Sequence, residues 1–163
     1  MSDLPTGCIV SINLSAEKGV RKTPVDHAEL VLDRGLAGDA HAGNWHRQVS
    51  LLALESVERM REAGADVSPG DFAENLTVSG IDLIALPLGT AVEVGSAVVE
   101  VSQHGKECHS HCAIYHQVGD CVMPREGIFA VVTRPGTVAV GDTATVLRLG
   151  DGTFARVGAE AAS

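Results

Sequence analysis

The apolar positions of this chain fall into short runs separated by glycine and proline, a pattern typical of β-strands joined by tight turns. The residues Gly95 and Ser96 separate two such runs by the two-residue connection that suits right-twisted antiparallel strands. The predicted strands are 7–14, 24–32, 49–53, a strand within 72–80, 91–95, 97–102, 127–133, 137–142 and 143–149.

Helical periodicity is visible in one place. The strand that begins at Val49 continues into a run over Leu54–Ala63, and Gly64 is a plausible C-cap for that helix. Many short strands with one or two helices predict a mainly β protein, a small β-barrel with one or two helical insertions.

Two polar stretches interrupt the strand pattern. Residues 33–48 combine glycines with Asp39, His41, His46, Arg47 and the only tryptophan, so they form either a functional loop or a solvated one. Residues 15–23 carry Lys18, Arg21 and Lys22, and are either a solvated loop or a basic edge that faces an anionic ligand.

Composition narrows the class of protein. The 163 residues suit a single domain, with a core over about 7–148 and a frayed tail over 150–163. With 45% apolar but only 3% aromatic residues, the core must be aliphatic. The net charge of −9 argues against nucleic acid and anionic membranes as partners, and no signal peptide or membrane span is visible. We therefore expect a cytoplasmic protein whose cysteines are thiols or ligands, with Cys8 as a small core residue.

The run His104–Cys121 holds three of the four cysteines and four of the seven histidines, and is called the Cys/His segment below. One interpretation is a closed zinc site on Cys108, Cys112 and two histidines, which so short a segment would strain. A second is a reactive thiol: basic neighbours such as Lys106 stabilise a Cys108 thiolate, which could carry sulfur or bind a soft metal such as molybdenum. The third is inert packing, and Cys121 is either a resolving thiol or a core residue.

Several stretches together resemble the MOSC domain, the C-terminal module of molybdenum cofactor sulfurases, and above all its small free-standing bacterial members. The matching stretches are 35–43, 45–52, 70–76, 88–89, 108–129 and 136–142. The resemblance implies a strongly bent, mostly antiparallel β-barrel. It also implies a pocket-mouth cysteine that carries a persulfide or binds the molybdenum of a pterin cofactor. That cysteine falls on Cys108 or Cys112; we favour Cys108, also as the metal ligand, and keep Cys112 as the second candidate.

The same resemblance suggests roles for other residues. Asp39, His41, His46 and Arg47 would line the pocket, and Arg47 or Lys106 would hold the cofactor's phosphate. Hydrogen bonds from Glu74 and Asn75 would fix the pocket loop or the pterin edge. A pyridoxal-phosphate domain is not visible in this chain, so a cysteine desulfurase or another sulfur donor, together with molybdenum cofactor enzymes, would be its partners.

Three functions follow from these features. The first is a carrier of sulfur or of the molybdenum cofactor that acts through its cysteine. The second is a molybdenum-dependent reductase, or another thiol-dependent enzyme, acting on small N-hydroxylated or sulfur-containing substrates. The third is a non-catalytic module stabilised by zinc.

Overall fold

A computed structural model of the chain describes residues 4–15, 22–39, 42–43, 47–64, 66–70, 72, 74–105 and 126–154. These residues contain eleven strands, one α-helix and one short 3-10 turn at Leu83–Ala85. The helix α1 covers Leu54–Glu62. The strands are β1 (Thr6–Leu14), β2 (Thr23–Val25), β3 (His27–Val31), β4 (Gly35–Leu36), β5 (Val49–Ala53), β6 (Leu76–Ser79), β7 (Ala91–Val94), β8 (Ala97–His104), β9 (Ile128–Arg134), β10 (Gly136–Ala139) and β11 (Thr143–Arg148).

Seven strands close into a barrel. Their order is β11-β7-β8-β9-β5-β6-β1, and β1 pairs with β11 to complete the circle. Within this circle β5 and β6 are parallel and every other neighbouring pair is antiparallel. Strand β2 extends the sheet from β1, and β10, β3 and β4 form a separate three-stranded sheet. The prediction of a mainly β, mostly antiparallel barrel with a helical insertion is confirmed.

The barrel interior is aliphatic, as the low aromatic content requires. Buried isoleucine, leucine, valine and alanine side chains from all seven strands form one cluster, with Ile9, Leu51, Val99 and Ile128 each at most 1% exposed. Burying each such side chain contributes about 1.5–3 kcal/mol, so this cluster is the main source of the barrel's stability.

The opposite face of the same strands is also buried. Side chains alternate across a strand, so Ser50, Leu52, Thr77 and Phe129 point away from the interior cluster. These four are nevertheless at most 2% exposed. Helix α1 packs against β5 and β6 on this side. We call this surface the outer face; it carries most of the buried polar groups described below.

The predicted helix and hairpin agree closely with the structure. Helix α1 ends within a residue of the predicted boundary, and Gly64 has φ +103° with its N–H donating to the Arg61 carbonyl at 2.9 Å. The β7–β8 hairpin pairs Val94 with Ala97, and Gly95 takes φ +60° between them. Glycine adopts such positive φ values without steric cost.

Two predicted boundaries are corrected. The run 24–32 is two strands in two sheets, because the chain breaks at Asp26, and Leu32 lies 49% exposed in the turn that follows. The loop predicted at 33–48 contains β4, which pairs with β3. The strand predicted within 72–80 is confirmed as β6, which begins directly after Asn75.

Cys8 also differs from its predicted place. It lies half-buried on β1, outside the interior cluster that includes its neighbour Ile9. At the other end of the chain, Gly150 donates its N–H to the Thr90 hydroxyl at 3.0 Å, and Gly152 donates to the Leu88 carbonyl at 3.0 Å. The first residues of the predicted tail are therefore attached to the barrel, and residues 155–163 lie outside the described ranges.

Candidate functional site at the neck of the Cys/His segment

The residues that flank the Cys/His segment are joined to each other. His104, the last residue of β8, pairs with Ile128, the first residue of β9. The Gly105 N–H donates to the Gly127 carbonyl at 2.6 Å. We call His104, Gly105, Glu126 and Gly127 the neck. Residues 106–125 lie between its two sides and outside the described ranges, so the described residues on either side of them meet at one point of the barrel.

The outgoing side of the neck is held by two side-chain hydrogen bonds. The His104 Nε2 atom lies 2.5 Å from the Leu86 carbonyl oxygen, which assigns the proton to Nε2. The Gln103 amide donates to the Gly105 carbonyl at 2.7 Å. His104 was counted with the candidate histidines of the segment, but its Nε2 serves to attach the neck to the barrel.

The return side of the neck is held by helix α1. The Ser56 hydroxyl donates to Glu126 Oε1 at 2.5 Å, and the Arg59 guanidinium pairs with the same oxygen. A cavity of about 470 Å³ lies beside this contact, between α1 and the turn 80–84. It is lined by Ala53, Glu55, Ser56, Arg59, Gly80, Ile81, Asp82, Leu83, Ile84 and Glu126. Nothing in the residue types or spacing of Ser56, Arg59 and Glu126 distinguishes them from an ordinary helix surface, so they cannot be recognised as site residues from sequence alone.

Arg47 lies close to the neck. Its guanidinium carbon is 5.8 Å from the centre of the Phe129 ring, within the range of a cation–π contact. Phe129 pairs with Ser50 on one side and Gln103 on the other, two residues after Gly127. The structure thus brings one predicted phosphate-binding residue to the outer face, beside the base of the Cys/His segment.

Asp39 is buried in an ion pair. Its Oδ1 lies 2.7 Å from the Lys22 Nζ, both side chains are fully buried, and the Ser15 N–H donates to the same oxygen at 3.1 Å. Lys22 is thus buried against a carboxylate of its own chain, which fits neither a solvated loop nor a basic edge that faces an anionic ligand. These were the two interpretations left open for residues 15–23, of which 16–21 lie outside the described ranges. This pair ties the residues before β2 to the loop that follows β4.

Asn75 joins three strands through a buried hydrogen-bond network. Its Oδ1 accepts from the Ser50 N–H at 2.9 Å and from the Ser50 hydroxyl at 3.2 Å, while its Nδ2 donates to the Asn13 carbonyl at 3.2 Å. Asn13 in turn donates to the Thr77 hydroxyl at 3.3 Å. The Asn75 side chain therefore holds β1, β5 and β6 together at the edge of the outer face.

Glu74 is the most unusual titratable group in the described residues. It is fully buried, and its Oε2 accepts a hydrogen bond from the Thr77 hydroxyl at 2.7 Å. Its Oε1 is buried and has no hydrogen-bond partner in the part of the chain that the structure describes. Burial raises the pKa of this carboxyl, and the backbone amide of Gly70, the Thr77 hydroxyl and the amides of Glu74 and Phe72 offset only part of that effect.

Gly70 explains how the chain reaches this buried position. It has φ +92°, and a β-carbon there would lie 2.7 Å from the Lys22 carbonyl oxygen and 3.0 Å from the Asn13 side chain. Only glycine permits this close approach. The loop that carries Glu74 and Asn75 therefore packs directly on Lys22 and Asn13.

The remaining predicted site residues lie outside the described ranges. These are Cys108 and Cys112, Lys106, and the two histidines His41 and His46. Over the described part of the chain, no group of three or more potential metal-ligating side chains comes together. None of its helices is both long and apolar enough to cross a membrane.

The fold and the neck together define a class of protein: a mixed seven-stranded barrel that carries a cysteine- and histidine-rich segment between two paired strands. The model of the MOSC domain matches residues 38–145 of this chain. The chain belongs to the MOSC domain family.

Solved structures show the same fold. YuaD from Bacillus subtilis is 20% identical with a TM-score of 0.73, covering 88% of this chain and 97% of that protein. YiiM from Geobacillus stearothermophilus is 24% identical with a TM-score of 0.69, covering 94% and 81%. YiiM from Escherichia coli is 24% identical with a TM-score of 0.65, covering 96% and 76%. No curated protein matches the chain significantly.

Proposed function

We propose that this protein handles sulfur or the molybdenum cofactor through a reactive cysteine of the Cys/His segment, Cys108 in the first place and Cys112 in the second. The observation that carries the proposal is the neck in a chain of the MOSC family. It attaches the segment to the barrel beside Arg47 and the outer face. A cysteine presented next to cationic groups is the usual arrangement for a thiolate at neutral pH.

The chemistry of the carrier is a sulfur exchange. The Cys108 thiolate attacks the terminal sulfur of a donor persulfide, R–S–SH, and forms Cys108–S–SH while the donor leaves as the thiolate R–S⁻. One S–S bond forms and one breaks, so no external oxidant is needed. A second thiol, such as a partner's, takes the sulfur by the same step, and a cysteine desulfurase is the kind of donor that fits.

Two described residues fit a bound molybdenum cofactor. Arg47 offers a guanidinium, the side chain best suited to a phosphate because it forms paired hydrogen bonds. Glu74 Oε1 is a buried acceptor with no hydrogen-bond partner among the described residues, which suits an N–H group of a pterin. When bound, the cofactor supplies a redox-active metal, with Cys108 as its protein ligand, while the residues of this chain bind and orient it.

Asp39 and Asn75 support the site indirectly. The Asp39 carboxylate pairs with Lys22, and the Asn75 amide bonds to Ser50 and Asn13. In the proposal these two residues hold the loops that present Arg47 and Glu74. His41, His46 and Lys106 are assigned to the cofactor side of the site on sequence grounds.

Sulfur transfer is tested directly by mass spectrometry. The purified protein is incubated with cysteine and a cysteine desulfurase, and each cysteine-containing peptide is examined for one added sulfur atom. Wild type should gain sulfur at Cys108, and Cys108→Ser should abolish that gain while Cys8→Ser leaves it intact. Cys8 is the matched control, because its half-buried thiol lies on β1 against the Ile9 carbonyl. Equal loading of every cysteine, or loading unaffected by Cys108→Ser, would contradict the assignment.

A further inference from the structure

The cavity between helix α1 and the turn 80–84 has an aliphatic floor. Ile81 and Leu83 are at most 3% exposed, and the half-buried Ala53 and Ile84 continue this apolar surface. A volume of about 470 Å³ is in the range of small-molecule sites, which combine a mostly apolar lining with a few polar groups. The described lining residues include none of those assigned to the cofactor, so the chemistry of this cavity does not follow from the proposed function.

The walls of the cavity are acidic. Glu55 lies on helix α1, Asp82 on the turn that faces it, and Glu126 on the return side of the neck. The Arg59 guanidinium pairs with Glu126, whereas Glu55 accepts from the uncharged Gly80 N–H at 3.1 Å. Three carboxylates and one guanidinium leave the lining with a net charge of −2. Within the described residues, the carboxylates of Glu55 and Asp82 have no cationic side chain beside them.

The combination of floor and walls indicates the kind of ligand. A hard metal ion binds through oxygen atoms on all sides, whereas four of the ten described lining residues here are aliphatic. A ligand that matches both parts carries a positive charge at one end and a short hydrocarbon chain at the other. Alkyl ammonium and alkyl guanidinium compounds have this structure.

We propose that this cavity binds a small aliphatic cation of that class. Its hydrocarbon chain packs on Ile81 and Leu83, which favours binding because apolar surface is removed from water. Its charged end lies between Glu55 and Asp82, where two carboxylates attract it from the two sides of the cavity. The Arg59 guanidinium carries the same charge as the ligand, so it opposes binding.

The test titrates n-butylammonium into isotope-labelled protein and follows the backbone amide NMR signals of Gly80 and Ile81. The Gly80 N–H is a direct reporter, because it donates to the Glu55 carboxylate. We expect saturable shifts with a Kd of about 1–10 mM, as is ordinary for a ligand of so few atoms. Two matched probes, n-butanol without the charge and ammonium without the chain, should each bind at least about tenfold more weakly.

Charge variants test the sign of the electrostatic effect. Asp82→Asn and Glu55→Gln each remove one negative charge and should weaken binding about fivefold, the effect of one partly exposed charge pair. Glu55→Gln keeps the oxygen that accepts from the backbone. Arg59→Gln removes the opposing positive charge and should strengthen binding by about the same factor. The matched control is Glu93→Gln, in an exposed pair with Arg134 elsewhere on the barrel, which should leave the Kd unchanged.

The assignment is overturned if n-butanol binds as tightly as n-butylammonium, or if Asp82→Asn and Glu93→Gln have the same affinity. Weaker binding by Arg59→Gln would also overturn it, because the effect would have the wrong sign. The NMR spectrum of each variant shows whether it folds; if one does not, the other charge variants and the wild-type probe series decide.

A last probe distinguishes a free small molecule from the side chain of a partner protein. A lysine blocked at both ends should bind at least about tenfold more weakly than n-butylammonium, because its amide groups would lie on the aliphatic floor without hydrogen-bond partners. Equal binding would assign the cavity to a partner's lysine and overturn the small-molecule assignment. None of these measurements requires cofactor or sulfur donor, so their outcome is independent of the proposed function.

Discussion

Breaking the buried Lys22–Asp39 pair should cost far more stability than breaking an exposed pair of the same length. The nitrogen and oxygen are 2.7 Å apart, and neither side chain reaches solvent. Removing one partner takes the opposite charge away from a group that is buried at 2.7 Å from it, which typically costs about 3–5 kcal/mol. Lys22→Met and Asp39→Leu should therefore each lose about that much, a large share of the roughly 5–15 kcal/mol that stabilises a typical domain.

The double variant separates the pair from the packing around it. Lys22→Met/Asp39→Leu leaves no buried charge behind, so its loss should be only about 1–3 kcal/mol, the cost of the acceptor lost by the Ser15 N–H. The two single losses should consequently exceed the double loss, with a coupling energy of about 3 kcal/mol or more. Equilibrium unfolding in urea, with the slope m checked for constancy, measures all four proteins.

The control is the pair between Arg134 and Glu93. Its atoms are 2.8 Å apart, but the two side chains are 52% and 38% exposed. The same cycle on this pair should give a coupling of about 0–1 kcal/mol. Equal coupling energies for the two pairs, or a loss below about 1 kcal/mol in Lys22→Met, would refute the reasoning that burial makes the Lys22–Asp39 pair important.

Three further outcomes are expected. Because burial raises the pKa of Glu74, its contribution to stability is fully present below the ordinary value of 4.5 and is lost as pH rises through the native pKa. Unfolding midpoints should therefore favour Glu74→Gln over wild type increasingly as pH rises above 4.5, and a pH-independent difference would contradict this. Asn75→Ala should lose about 2–3 kcal/mol in urea unfolding, because the Ser50 N–H and the Asn13 carbonyl lose their buried hydrogen bonds to the Asn75 side chain, and a loss under about 1 kcal/mol would contradict the network. Arg47→Met keeps the aliphatic stem, so calorimetry should show weaker binding of a phosphorylated pterin at an unchanged melting temperature; unchanged affinity would remove Arg47 from the site.

The barrel was predictable because its signals are local. Alternating aliphatic residues, glycine turns such as Gly95-Ser96 and the helical run after Leu54 each depend on a few neighbouring residues. The break between β2 and β3 was not predictable in this way, because β2 pairs with β1 and β3 with β10. Long-range pairing decided that boundary.

The candidate site depends on long-range contacts more than the barrel does. Lys22 and Asp39 are seventeen residues apart, and Ser56 meets Glu126 across seventy. Nothing in the sequence near Ser56 indicates that pairing. Residue type and family resemblance identify four described candidates, namely Asp39, Arg47, Glu74 and Asn75. Only the structure shows that Asp39 and Asn75 bond to other residues of the chain, whereas Arg47 lies close to the neck.

In the proposed function a cysteine of the Cys/His segment carries the chemistry, and its most direct test is the metal and pterin content of the protein made in a host that synthesises molybdenum cofactor. Wild type, Cys108→Ser, Cys112→Ser and Cys8→Ser would be compared, with persulfide measured on the same samples. Wild type and Cys8→Ser should carry molybdenum with pterin, or a persulfide, and Cys108→Ser should lose it. Retention of both in Cys108→Ser and Cys112→Ser, or one tightly held zinc per chain whose chelation unfolds the protein, would contradict it.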